Sequence, residues 1–300
     1  MEKASERARR IGEAKARFNS IVVDYPPMTA AIEAITVVRE MQRAIPSDAA
    51  SPMILLNAPL GTGKSMTLKT AAAHAAAEAP EGHRPILVVQ TPSAGTTDSI
   101  PSAILKALGA ARPDVGKVEA RWLRAVAEMR RCHVEVAAFD EFNRAARRPT
   151  MSRPIAMAIR EHLVDEGVAA VAFVGTADAA VVLGQCEDIL DRLEDEIDLS
   201  PLAWHEQEDR ELLFAFLRDV DAELQGNGLL AASSGLGDGV TAKGLWEASK
   251  GRLRPLMGII RGAMALSMRR DGASITADDL RQSIDAYSLR VDFIGRNEFS

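Results

Sequence analysis

The chain has 300 residues, 47% of them apolar, a formal net charge of −6 and two cysteines. That length and apolar content suit one large or two modest globular domains, and exclude a disordered tail or a small stapled scaffold. The acidic balance excludes a surface that coats nucleic acid as a whole and leaves room only for a local basic patch, while Cys132 and Cys186 lie in no metal or redox spacing and read as buried thiols in a reducing compartment.

The first residues, MEKASERARRIGEAKARF, form a charged helix from about Ser5 to Phe18 with no apolar signal region. No apolar run in the chain is long enough to cross a bilayer, so a cytoplasmic protein without a membrane partner is expected. Asp24-Tyr-Pro-Pro27 breaks the helix, because proline is excluded from helix interiors; Thr29 can then cap a second helix carrying Ile32, Ile35, Val38 and Met41 on one side. From residue 53 strands and helices alternate: strand 53–57, helix 64–78, strand 85–90, helices near 99–108 and 117–131, strand 135–139, helix 154–165 and strand 169–174. Continuous apolar runs such as Ile86-Leu-Val-Val89 fit strands buried on both faces, so the expected class is α/β, a parallel sheet covered by helices on both sides. Past Leu202 the alternation stops and helices follow near 206–224, 241–249, 254–270 and 276–287. The expected division is an N-terminal helical segment 1–48, an α/β core 49–203, a small all-helical subdomain 204–290 and a tail 291–300.

The first strand runs into Ala58-Pro-Leu-Gly-Thr-Gly-Lys-Ser65. In the strand–loop–helix pattern G-x-x-x-x-G-K-[ST], backbone N–H groups wrap phosphates, the lysine reaches the terminal phosphates and the hydroxyl holds Mg²⁺. Here Ala58 replaces the first glycine, while Gly61, Gly63, Lys64 and Ser65 are in place; an ordinary glycine turn is the plainer alternative. The strand Val134-Glu-Val-Ala-Ala-Phe139 ends in Asp140 and Glu141. At a strand's carboxyl end beside a phosphate loop, an aspartate can enter the Mg²⁺ shell and a following glutamate can act on the attacking water. An acidic helix cap is the alternative. A further strand ends in Val174-Gly-Thr176, at the edge where open parallel sheets place their ligands, which makes Thr176 a candidate for holding water or the γ-phosphate.

Arg192 lies among acids in Asp188-Ile-Leu-Asp-Arg-Leu-Glu-Asp195; it is either part of a surface ion-pair network or an arginine finger reaching a neighbouring subunit's nucleotide. Arg254, in Gly251-Arg-Leu-Arg-Pro255, opens a helix, where a cation is unfavourable unless it faces an anion. The histidines show no metal-ligand pairing.

In this order the motifs resemble those of an AAA+ ATPase: APLGTGKS its Walker A, AAFDE its Walker B, VGT its sensor-1 strand, DRLED its arginine-finger segment and GRLR its sensor 2. Val89-Gln-Thr-Pro-Ser93, Ile104-Leu-Lys-Ala-Leu-Gly109, Asp140-Glu-Phe-Asn143 and Val174-Gly-Thr-Ala-Asp-Ala179 are similar, more narrowly, to the TniB/TnsC group of transposition ATPases, with phage MuB more distant. The resemblance implies ATP and Mg²⁺ as cofactors. Ala58, Pro59, Leu60, Gly61, Thr62, Gly63, Lys64, Ser65 and Met66 would hold the nucleotide with Asp140, Arg254 and Tyr25, the last near the adenine; Ser65 and Asp140 would hold the metal. Lys64, Glu141, Thr176, Arg192 and Arg254 would serve hydrolysis.

It also implies a homo-oligomeric ring or filament on double-stranded DNA that marks target DNA and activates a DDE-type transposase, with a target-selector protein as a further partner. RAARRPTMSR (144–153) supplies Arg144, Arg147 and Arg148, and the hydroxyl-rich loop before residue 102 supplies Thr96 and Thr97, residue types that hold backbone phosphates without reading bases. A solvated loop accounts for the same arginines equally well. The alternative function is an AAA+ ATPase acting on a protein partner, in secretion or replication, without a transposition role.

Overall fold

A computed structural model describes residues 2–46, 49–93 and 96–289. The expected tail 291–300 lies outside the described residues. Two compact units divide the chain: Pro26–Ser200, and the residues up to Tyr25 together with those from Pro201 on.

The first unit holds a five-stranded, all-parallel sheet. Its strands are β1 Met53–Asn57, β2 Ile86–Gln90, β3 Val136–Asp140, β4 Ala170–Gly175 and β5 Leu193–Asp198, in the spatial order β2-β3-β4-β1-β5. Side chains alternate across a strand, and each face carries its own apolar layer. Leu55, Val89, Phe139 and Phe173 face one layer, shared with α4 (Ser99–Ala107), α5 (Val118–Arg131), α6 (Pro149–Ile159) and α7 (Ala177–Leu183). Ile54, Leu56, Ala138 and Val174 face the other, shared with α2 (Pro26–Ala44) and α3 (Lys64–Ala77). Burial on both sides is why the central strands read as unbroken apolar runs.

Three local expectations change. Helix α2 starts at Pro26 rather than at a Thr29 cap, because the first turn of a helix has no use for the N–H groups that Pro26 and Pro27 lack. The acidic segment after Arg192 contributes an edge strand, β5, mostly exposed and therefore without an apolar pattern. Helix α6 begins at Pro149, includes Pro154 and passes into a π-turn at Arg160–Val164.

The second unit is helical: α1 (Glu2–Phe18), α9 (Gln207–Gly226), α10 (Gly239–Ser249), α11 (Leu253–Arg269) and α12 (Ala277–Ile284). The short helix Glu187–Leu190, here α8, belongs to the sheet unit. The expected separate segment 1–48 is thus divided. Helix α1 packs on α11, with Arg10 bonded to Asp271, Arg17 to the Asn227 carbonyl and Arg261 to Asn19, whereas the apolar side of α2 (Ala31, Ile35, Val38) lies on the sheet. Trp204 contacts Phe214 and Trp246, and Trp246 Nε1 donates to the Leu202 carbonyl at 2.6 Å. Among the described residues no helix is long and apolar enough to cross a membrane.

Candidate nucleotide site

The site forms at the carboxyl ends of β1, β3 and β4. The loop leaving β1 turns through Gly61 (φ 86°) and Gly63 (φ 113°), left-handed conformations that side-chain-bearing residues rarely adopt. Ala58 is not among the residues with positive φ, and its buried N–H donates to the Gly175 carbonyl at 3.0 Å. The missing first glycine therefore costs the loop no backbone strain. Thr62 Oγ1 donates to the Pro59 carbonyl at 3.0 Å, and the Met66 and Thr67 N–H groups both donate to the Gly63 carbonyl, starting α3 directly on the last glycine.

Lys64 is buried, and its ammonium donates to the Ala58 carbonyl at 2.6 Å and the Pro59 carbonyl at 2.7 Å. Burial lowers its pKa, opposed by the nearby carboxylates Glu141 and Asp140. An incoming phosphate offers this partly desolvated cation a full negative charge in place of two carbonyl dipoles. Leu60 and Met66, in contrast, expose their apolar side chains.

Asp140, at the end of β3, is 2% exposed and accepts three hydrogen bonds: Ser65 Oγ at 2.8 Å and Gln90 Nε2 at 2.9 Å on Oδ2, and the Glu141 N–H at 2.9 Å on Oδ1. The β2–β3 register places Gln90 directly beside Asp140. Gln90 escaped the sequence reading, although it carries the signal that singled out Thr176, a polar residue ending a buried strand at this edge. Glu141 adopts φ 57°, ψ 37°, unusual for a residue with a side chain, and opens the 3₁₀ segment Phe142–Arg147. Its carboxylate is 3.9 Å from Arg144 Nε, and Arg144 Nη1 donates to the Thr91 carbonyl at 3.0 Å.

The donor set fits the groups that the phosphate-loop pattern implies. Ser65 and Asp140 present a hydroxyl and a carboxylate oxygen together, hard ligands suited to Mg²⁺, which keeps its remaining positions for water and phosphate oxygens. Two buried oxygens at this edge, Thr91 Oγ1 and Asn143 Oδ1, have no hydrogen-bond partner. Among the described residues no group of three or more His, Cys, Asp or Glu side chains could hold a metal on its own.

Thr176 follows β4 and caps α7 through its backbone, with no side-chain cap bond. Gly175 before it lies tightly against Asn143 and Ala179. Arg192 Nη1 pairs with Asp165 Oδ1 at 2.8 Å; Asp165 also pairs with Arg160, which reaches Asp188. Arg192 immediately precedes Leu193, which registers with Met53 at the start of β1, so it stands at the opposite end of the strands from the phosphate loop. At ~3.3 Å per residue, the length of β1 separates them by about 13 Å.

The remaining candidates are scattered. Arg254 is the second residue of α11 and is exposed, in the helical unit. Tyr25 is buried in the same unit, its ring 5.4 Å from Phe216, and burial together with Asp209 pushes its phenol up to about 12. Arg144 turns inward to Thr91 and Glu141, while Arg147 and Arg148 are exposed. Thr96 and Thr97 sit in the turn before α4, where Thr97 Oγ1 bonds Asp98 and the Thr96 carbonyl accepts from Ser99.

A glycine-kinked phosphate loop, acids at the end of the third strand and a parallel sheet followed by a helical C-terminal region define an AAA+ ATPase fold. The chain belongs to the bacterial TniB protein family, whose model matches residues 19–201. Among solved structures it is similar to Cdc6p from Pyrobaculum aerophilum (15% identity, 92% of this chain and 72% of that one, TM-score 0.64). It is also similar to the Aeropyrum pernix ORC2 protein in its ADPNP–ADP complexes (15% identity, 85% and 67%, TM-score 0.60). A third similar structure is the A. pernix ORC1 protein in complex with DNA (18% identity, 91% and 66%, TM-score 0.56). No curated protein matches the sequence significantly.

Proposed function

We propose that this protein is a Mg²⁺-dependent ATPase that assembles on double-stranded DNA and activates a DDE-type transposase. The observation that carries the ATPase part is the contact of Ser65 with Asp140 at 2.8 Å, with Glu141 next in the chain. In this reading the loop N–H groups and Lys64 bind the phosphates, Ser65 and Asp140 hold the metal, and Glu141 accepts the proton of the attacking water. The metal, when bound, supplies neutralising charge to the phosphates. Gln90 and the Glu141 N–H fix the Asp140 carboxylate, and Thr176 stands at the neighbouring strand end, where it can orient water or the γ-phosphate.

Arg192 acts in trans in this reading, because its own phosphate loop is at the other end of β1. Membership of the TniB family supports a role in transposition. The exposed Arg147 and Arg148 supply a focal cationic patch on an acidic chain, suited to sequence-independent, salt-sensitive contact with backbone phosphates. Arg254 and Tyr25 are proposed as further nucleotide-binding residues.

The test is binding to non-specific duplex DNA with Mg-ATP, Mg-ADP or no nucleotide across a salt series, imaged by electron microscopy. Rings or filaments that require ATP and weaken steeply with salt are expected. ATP turnover without DNA association at low salt would overturn the DNA role and leave an ATPase that acts on a protein partner.

A further inference from the structure

Beside the acids a cleft of about 710 Å³ opens between the end of β2, α4 and α5. Lys106, Arg121 and Arg144 line it against two carboxylates, Asp98 and Asp114. Arg121 Nη1 is tied to the Asp98 carbonyl at 2.9 Å and Ser102 Oγ at 2.6 Å, but its Nε is buried without a partner. Thr91, also in the lining, is 1% exposed, and its hydroxyl has no partner either. A buried donor left unsatisfied is unfavourable, because it has given up water without gaining a partner. Two of them in one cationic cleft describe a place for an anion with several acceptor oxygens.

Arg144 belongs to both places. It lines the cleft, is anchored on the Thr91 carbonyl, and holds its Nε 3.9 Å from Glu141 Oε2, with both side chains about 30% exposed (30% and 28%). A guanidinium shared between a carboxylate and a cleft moves toward whichever side presents more negative charge.

We propose that the cleft binds a phosphate group, and that Arg144 is a positioning residue which restrains Glu141 until that phosphate draws it away. The relay rests on the ATPase reading above; the phosphate comes either from a free phosphate monoester or from a duplex backbone. With the cleft filled, the Glu141 carboxylate is free to engage water, so ligand binding at one place raises turnover at the other.

Two readouts test this on the full chain, with glycerol phosphate and a short duplex as separate probes. The first is phenylglyoxal labelling of Arg121 and Arg144 without ATP, mapped by mass spectrometry. The second is ATP turnover resolved into kcat and KM. Expected is protection of both arginines by one probe, which identifies the source, and a severalfold rise in kcat at unchanged KM with the same probe. Arg121→Ala should abolish the protection of Arg144. Arg144→Ala should turn over ATP faster than the unstimulated wild type and ignore both probes, and Arg144→Lys should recover part of the response.

Absence of protection by either probe, or a response in Arg144→Ala equal to the wild type, overturns the proposal while the ATPase reading stands. No ATP turnover under any condition overturns the ATPase reading and the relay with it.

Discussion

Ser65 and Asp140, 75 positions apart in sequence, meet through a hydrogen bond of 2.8 Å that joins the phosphate loop to the end of β3. The same Asp140 oxygen accepts from Gln90, so one buried carboxylate organises three segments of the sheet's carboxyl edge.

Replacing that carboxylate therefore has a structural as well as a functional effect. Asp140→Ala leaves the Gln90 amide and the Glu141 N–H without their acceptor, which should cost about 1–3 kcal/mol of stability. Chemical denaturation measures the loss, and ATP turnover should disappear in the same variant.

Glu141→Gln keeps the shape of the side chain and removes its basicity. Turnover should fall by roughly 10²–10⁴ with nucleotide affinity retained, the range for loss of a general base. A fluorescent nucleotide titration beside a phosphate-release assay separates the two; unchanged turnover would mean that Glu141 is not the base.

Arg192→Ala removes a half-exposed ion pair with Asp165, worth no more than about 1 kcal/mol. Stability should hardly move, whereas turnover should drop by about 10³–10⁵ if the arginine completes a neighbour's site. Mixing Arg192→Ala with Lys64→Ala protein should restore part of the activity, because some interfaces then pair an intact loop with an intact arginine. Failure of mixing to restore any activity would count against action in trans.

Gly175→Ala tests the crowding behind Thr176. An added Cβ would lie 2.7 Å from Ala179 Cβ, 3.0 Å from Asn143 Oδ1 and 3.1 Å from the Asn143 nitrogen, all three buried or backbone atoms with little room to shift. A destabilisation of about 1–3 kcal/mol is expected from such overpacking, measured by thermal unfolding.

Tyr25 gives the helical unit an alkaline limit. Burial, with Asp209 adding to it, raises its phenol from 10.0 to about 12. Below pH 10 both the folded and unfolded chains keep the proton and the contribution is intact; between pH 10 and 12 only the unfolded chain releases it, so stability falls as pH rises. The total is roughly 3 kcal/mol at most, from 1.36 kcal/mol per unit. Denaturation curves across this window should show a shallower loss in Tyr25→Phe than in the wild type.

What the sequence determined is what short stretches of chain encode. The phosphate loop needs left-handed turns that only glycine adopts readily, and the buried strands need apolar runs on both faces, so Gly61, Gly63, Lys64 and the strands around them were legible residue by residue. Asp140 and Glu141 were legible for the same reason, as polar residues ending an apolar run. Strand β5 was not, because an edge strand exposed on most of its length carries acids in place of an apolar pattern.

Only the tertiary structure decided which of the candidates stand together. Strand order and register put Gln90 on Asp140, turned Arg144 inward while Arg147 and Arg148 face out, and set Arg192 at the far end of β1 from the loop. It also assigned α1 and α2, adjacent in the chain, to different units. Such juxtapositions depend on pairing between strands tens of residues apart, and local propensity and spacing hold no information about that pairing.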